Sequence, residues 1–162
     1  MLFDQKLYRS ALGSFATGVT IVTTQDQDGQ GHGLTVNSFT SVSLDPPLVL
    51  WCLGNKSDSY DLFSKTENYA INVLAAGDGD LAMRFAGKGD QSFAQGEAGT
   101  MATGAPVLSS AIAVFDCKVV QRIDAGDHLI LIGQTQDFLT RPDSGLAYFR
   151  GTFGDTSRLA SA

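Results

Sequence analysis

The 162-residue chain carries 17 Asp and Glu against 11 Lys and Arg, a formal net charge of −6, with 43% hydrophobic and 17% charged residues. That balance fits one globular domain spanning residues 1–162, excludes disordered and fibrous classes, and opposes non-specific binding to nucleic acid or anionic lipid. No apolar run reaches the roughly 20 residues of a membrane span, and the opening MLFDQKLYRSALGSF reads as an amphipathic helix and not as a signal peptide, so a cytoplasmic protein without membrane attachment is expected.

Phe3, Leu7, Leu12 and Phe15 mark the apolar stripe of that helix, which should end near Gly13. TGVTIVTTQ (17–25) is a β-branched strand, and the turn DQDGQG (26–31) leads into a second strand from His32. Asp45-Pro46-Pro47 interrupts the chain before the strand PLVLWCL, bounded by Gly54-Asn55. Ser57 is positioned to cap a short helix, DSYDLFSK, with Asp58 and Asp61 in its early turns. NYAINVLAA predicts a further strand and LAMRFAG a helix. Residues 87–106, rich in Gly, Ala, Gln and Ser and without periodicity, read as a long loop or lid. AIAVFDCKVVQRI and HLILIGQTQDFL predict two long strands joined by a turn at 124–127, and LAYFR and TFG two short ones. Hairpin-linked strands with few helices predict a mainly β protein, an antiparallel barrel with a few peripheral helices.

Most of the familiar catalytic patterns are missing. Gly77, Gly79 and Ala82 give G-x-G-x-x-A between strand and helix, but Asp78 and Asp80 would sit where a dinucleotide's phosphates must dock. An ordinary turn with acidic residues at a helix start explains the segment better. There is no G-x-S-x-G elbow, and His32 and His128 have no partner at metal-ligand spacing, so no metal site is expected. Cys52 and Cys117 belong to no Cys-x-x-Cys pair and read as buried free thiols.

One stretch stands apart. Thr35, Asn37, Ser38, Thr40, Ser41 and Ser43 place six hydroxyl or amide side chains in nine positions, directly before the apolar LVLWCL. Each such group costs roughly 1–3 kcal/mol if buried without a partner. Read as a continuous strand, Thr35 and Asn37 face one way and Ser38 and Thr40 the other. Either these groups satisfy turns and edge backbone, or they face a planar polar ligand. NKSDS (55–59) adds Lys56, Ser57 and Ser59 at the start of a helix, a set able to receive a phosphate, with Arg84 and Lys88 as further cations or as plain surface charges.

Taken in order, FATGVTIVTT (15–24), GLTVNSFTSVSLDPPLVLWCL (33–53), NKSDS, NYAINVLAA (68–76), GDH (126–128) and YFRG (148–151) resemble the short-chain flavin reductases, the reductase components of two-component flavin-dependent monooxygenases. The likeness runs from about Phe15 to Gly151. It implies a split β-barrel, usually a homodimer, that binds FMN or FAD and reduces it with NADH or NADPH for a partner oxygenase. On this resemblance Thr35, Asn37, Ser38, Cys52 and Leu53 would lie along the flavin ring or ribityl chain. Asn55, Ser57 and Ser59 would approach the phosphate, with Phe85 and Lys88 closing that side, and His128 would stand beside the nicotinamide. The general shortage of cations favours NADH over NADPH. Hydride transfer between two cofactors needs little from side chains, which accounts for the absence of an acid–base pair. The competing reading is an electron-carrying or flavin-storing protein of the same barrel without its own nicotinamide step. A flavin-dependent oxidase of the pyridoxamine type would need more basic residues for its phosphorylated substrate.

Overall fold

The computed structural model describes residues 3–88 and 92–157. Helix α1 (Gln5–Leu12) starts on Asp4, whose Oδ1 accepts from the amides of Lys6 at 2.9 Å and Leu7 at 3.0 Å, and it closes on Gly13. The strands are β1 (Thr17–Gly18), β2 (Thr20–Gln25), β3 (Gly31–Val36), β4 (Thr40–Leu44), β5 (Pro47–Gly54) and β6 (Asn68–Val73), then β7 (Ala98–Thr100), β8 (Pro106–Leu108), β9 (Ala113–Ala125), β10 (His128–Thr140), β11 (Leu146–Phe149) and β12 (Thr152–Asp155). Helices α2 (Tyr60–Phe63) and α3 (Gly79–Ala86) complete the described elements.

Every strand pair is antiparallel. Seven strands run in the order β3-β2-β6-β9-β10-β5-β4, with β1-β11-β12 and β7-β8 as smaller sheets. The two edge strands of the large sheet, β3 and β4, are consecutive in sequence and joined by Asn37, Ser38 and Phe39 alone. Flat, seven strands would set those edges about 29 Å apart, whereas the linker spans at most about 14 Å. The sheet must therefore roll until its edges approach, while β3 and β4 stay unpaired with each other. The result is an antiparallel split β-barrel with short helices outside it, and the split lies at residues 37–39.

Period-two alternation divides the sheet into two cores. Ile21, Ala70, Leu74 and Val114 pack one face with Ala82 and Phe85 of α3, while Val22, Tyr69, Ile71 and Cys117 pack the other with Val49, Trp51, Leu53 and Phe63. Two glycines permit the closest approaches. A Cβ at Gly33 would lie 2.6 Å from the Phe85 ring, and one at Gly133 would lie 2.3 Å from the Tyr69 hydroxyl.

Three sequence expectations change. The polar stretch is not one strand: the chain leaves β3 after Val36, and Phe39 turns in to stack on Phe115 with ring centroids 5.4 Å apart. Ser57 does not cap α2; Ser59 occupies that position, and the Ser57 hydroxyl instead accepts the Ser59 amide at 3.3 Å. Within 87–106, residues 89–91 lie outside the described residues, and the later part is ordered as the β7–β8 hairpin. Buried side chains anchor it. Asn72 Oδ1 accepts the Leu108 amide at 2.8 Å, and the fully buried Asp116 accepts from both the amide and the hydroxyl of Thr103.

Candidate functional site

Two cavities open along the split. The smaller, about 260 Å³, is lined by Lys56, Ser57, Asp58, Ser59 and Lys88, with Leu34 of β3 and Ala86 and Gly87 at the end of α3. It forms because β5 exits into a tight turn, which brings the serines and Lys56 opposite the last turn of α3. Lys88 Nζ stands 3.7 Å from Asp58 Oδ2 on the exposed rim. Two ammonium groups and two hydroxyls outnumber one carboxylate, a donor set that fits a phosphate monoester.

The larger cavity, about 970 Å³, takes Asn37, Ser38, Cys52, Thr17, Tyr148 and His128 among its walls. Ser38 Oγ accepts from the Cys52 amide at 3.0 Å and donates to the Cys52 carbonyl at 3.3 Å, so it ties the linker to β5. Burial pushes the Cys52 thiol above its ordinary value, against an opposing hydrogen bond from Ser38. Thr17 Oγ1 is buried and has no hydrogen-bond partner among the described residues. An orphan hydroxyl on this wall is what a ligand with a heteroatom-rich edge would complete.

His128 faces Gly54 across the β5–β10 register. Its Nδ1 lies 2.7 Å from Asp127 Oδ1. The hydrogen bond from His128, and then its charge, hold the Asp127 carboxyl below its ordinary value. An ionised carboxylate accepts only, so Nδ1 carries the proton of that bond. Nε2 is left for other partners. The β9–β10 turn is itself held to the β5 exit, where the Asn55 amide donates to the Asp127 carbonyl at 2.9 Å and Asn55 Nδ2 to the Gly126 carbonyl at 3.3 Å.

The expected site residues therefore divide. Asn37, Ser38, Cys52 and His128 meet in the larger cavity, and Ser57, Ser59 and Lys88 in the smaller. Asn55 braces the turn between them. Thr35 spends its hydroxyl on the Ala82 carbonyl of α3 at 2.7 Å. The Leu53 and Phe85 side chains are fully buried, one in each core, so they back the site and do not line it. Thr17, Arg150, Lys6 and Arg9 were not expected in the site, yet all line the larger cavity. The signals available were the Thr and Arg within FATG and YFRG, and two cations spaced i, i+3 on a helix. A third groove, about 590 Å³, carries Asp26, Asp28, Asp61 and Glu67 beside Lys65, charges that oppose an anionic ligand. Among the described residues no group of three or more His, Cys, Asp or Glu is placed to hold a metal, and no helix is long and apolar enough to cross a membrane.

These elements and the two cavities define an antiparallel split β-barrel with a cationic, hydroxyl-lined notch and a separate larger cavity. The flavin reductase like domain model matches residues 12–157, and the chain belongs to that family. It is 43% identical over 145 residues to the reductase component of a flavin-dependent trigonelline monooxygenase from Acinetobacter baylyi (strain ATCC 33305 / BD413 / ADP1), covering 90% of this chain and 47% of that protein. It is 40% identical over 155 residues to an FMN reductase (NADH) of Agrobacterium fabrum (strain C58 / ATCC 33970), covering 96% and 88%. Among solved structures, a Streptomyces globisporus NADH:FAD oxidoreductase in complex with NAD and FAD fragments superposes with a TM-score of 0.86 at 33% identity, covering 95% of each chain. The chain also spans 51% of a probable flavin reductase of Rhizobium meliloti (strain 1021), about half the length of that relative.

Proposed function

We propose that this chain is an NADH-dependent flavin reductase that delivers reduced FMN or FAD to a partner oxygenase, acting as a homodimer in the reducing cytoplasm. The observation that carries the reading is the presence in one split barrel of a cationic, hydroxyl-lined notch and a larger cavity lined by Thr17, whose hydroxyl is an orphan, and by His128. The names of its relatives, an NADH-dependent FMN reductase and a monooxygenase reductase component, supply the donor and the partner class. Free Cys52 and Cys117 fit a reducing compartment.

When bound together, nicotinamide and flavin supply the chemistry themselves, a hydride passing with its electron pair from the one ring to the other. The chain's residues bind and orient. Ser57, Ser59, Lys56 and Lys88 hold the flavin phosphate, with Lys88 exchanging its Asp58 contact for it. Asn37 and the Thr17 hydroxyl address the polar edge of the ring, where donors favour the charge that grows on reduction, while Ser38, its one proton given to the Cys52 carbonyl, holds the linker on β5. Cys52 borders the same cavity. His128, oriented by Asp127, presents Nε2 to the nicotinamide side and positions it. Asn55 keeps that histidine turn in register with β5. Thr35, Leu53 and Phe85 fix the strand and helix that carry these groups.

The test is consumption of NADH by the purified chain with and without added FMN or FAD. Steady oxidation that depends on free flavin supports the proposal. Flavin binding with no NADH oxidation would assign the chain to electron carriage or storage instead.

A further inference from the structure

Every residue of helix α1 is exposed, and Lys6, Arg9, Ser10 and Leu12 line the cavity that contains His128, with Lys6 and Arg9 one turn apart. Arg150 lines the same cavity. Its backbone sits in the left-handed region at φ 48°, unusual for a side chain with a Cβ. Its amide donates to the Gly13 carbonyl at 3.0 Å and its Nη2 to Ser14 Oγ at 3.0 Å, which fastens the end of α1 at the cavity. Among the described residues no Asp or Glu lines that cavity, in a chain with 17 acidic residues against 11 basic ones. Among the described residues, neither Lys6 nor Arg9 pairs with a carboxylate. Lys6, Arg9 and Arg150 thus line one cavity, separate from the one lined by Lys56 and Lys88. A neutral nicotinamide ring needs none of them.

We propose that Lys6 and Arg9 of α1, with Arg150, form the anion clamp for the pyrophosphate of the nicotinamide dinucleotide, holding the donor from its phosphate side while His128 meets its ring. This rests on the reductase reading. The clamp attracts through compact charge, so its effect is screened by salt and vanishes for donors without phosphate.

The experiment compares wild type with K6A/R9A. Binding of NAD+ to the flavin-loaded protein is measured by calorimetry, and turnover is measured with NADH and with 1-benzyl-1,4-dihydronicotinamide, a hydride donor lacking phosphate. The expected result is an NAD+ dissociation constant raised about tenfold, with a weaker salt dependence than wild type. The ratio of kcat/KM for NADH to that for the benzyl donor should fall by a similar factor. The charge-keeping variant K6R/R9K should recover most of the affinity, which separates loss of charge from loss of fold. The inference is overturned if NAD+ affinity is unchanged or absent in wild type, or if both donors lose equally. It is also overturned if FAD affinity falls while FMN affinity does not, since the clamp would then serve the flavin's pyrophosphate. A wild type that binds NAD+ but oxidises neither donor would sink the reductase reading, and the NAD+ titration would still decide the clamp.

Discussion

Single side chains decide what the seam can hold. The His128 ring is exposed enough to meet a ligand, is oriented through Nδ1 by Asp127, and has no neighbour with which to share a buried network. Replacing it with alanine should therefore cost little in fold or flavin affinity. We expect His128→Ala to lower kcat/KM for NADH by about tenfold to hundredfold, with the FMN dissociation constant from fluorescence quenching within a factor of about two of wild type. Lost flavin binding with normal turnover per bound flavin would contradict the assigned role. Cys117 gives a pH prediction of a different kind. Burial pushes its thiol from 9.0 up to about 12. Across that window the unfolded chain releases the thiol proton and the folded chain keeps it, so stability falls as pH rises from 9.0 towards 12. Cys117→Ala should flatten this alkaline limb in urea titrations, and an unchanged slope would show that the thiol is not what titrates. The sequence could point to Asn37 and Ser38 because their polarity is out of keeping with the apolar strand that follows, whereas Cys52 and His128 were expected in the site only through the family resemblance. It could not show that Thr35 is satisfied by an α3 carbonyl, or that Thr17 is left without a partner. Those facts depend on which elements meet, and no local pattern records that.

At the scale of elements, the large strands were legible because their β-branched and apolar runs dominate any window, and the hairpin turn after β9 is marked by Gly126 and its flanking aspartates. The small ones were not. β7 and β8 have three residues each and no alternation, and what orders them is a set of distant buried acceptors and donors. Asn72 is the clearest, since its amide donates to the Ile21 carbonyl at 3.0 Å and to Thr23 Oγ1 at 3.1 Å while its oxygen takes the Leu108 amide. In sequence it is merely a polar residue inside NYAINV. Asn72→Ala should destabilise the protein by about 1–3 kcal/mol for the orphaned Leu108 amide alone, read as a lower urea midpoint. Hydrogen exchange should also quicken selectively at β7 and β8, because these strands pair mainly with each other. A loss of stability with uniform exchange would mean that Asn72 serves the core generally and not the hairpin.

The whole molecule is a rolled sheet whose closure follows from a three-residue linker between its edge strands, a constraint of topology that strand prediction alone does not contain. The same topology leaves α1 with no buried residue. An eight-residue helix is too short to be stable by itself, and its Asp4 cap and the Arg150 ties hold its ends without covering its apolar side. Phe3, Leu7 and Phe15 are 70%, 69% and 78% exposed, and Leu44 on edge strand β4 and Phe138 on β10 are 95% and 66% exposed. The proposed homodimer would cover such side chains on both copies at once. Light scattering should then give twice the monomer mass at micromolar concentration. Leu7→Asp with Leu44→Asp should shift the chain towards monomer and lower its melting temperature, while an exposed control such as Gln136→Asp leaves the mass unchanged. Should the wild type stay monomeric at the concentrations where it reduces flavin, α1 must be covered by something other than a second copy, and the oxygenase that receives the flavin becomes the occupant to test next.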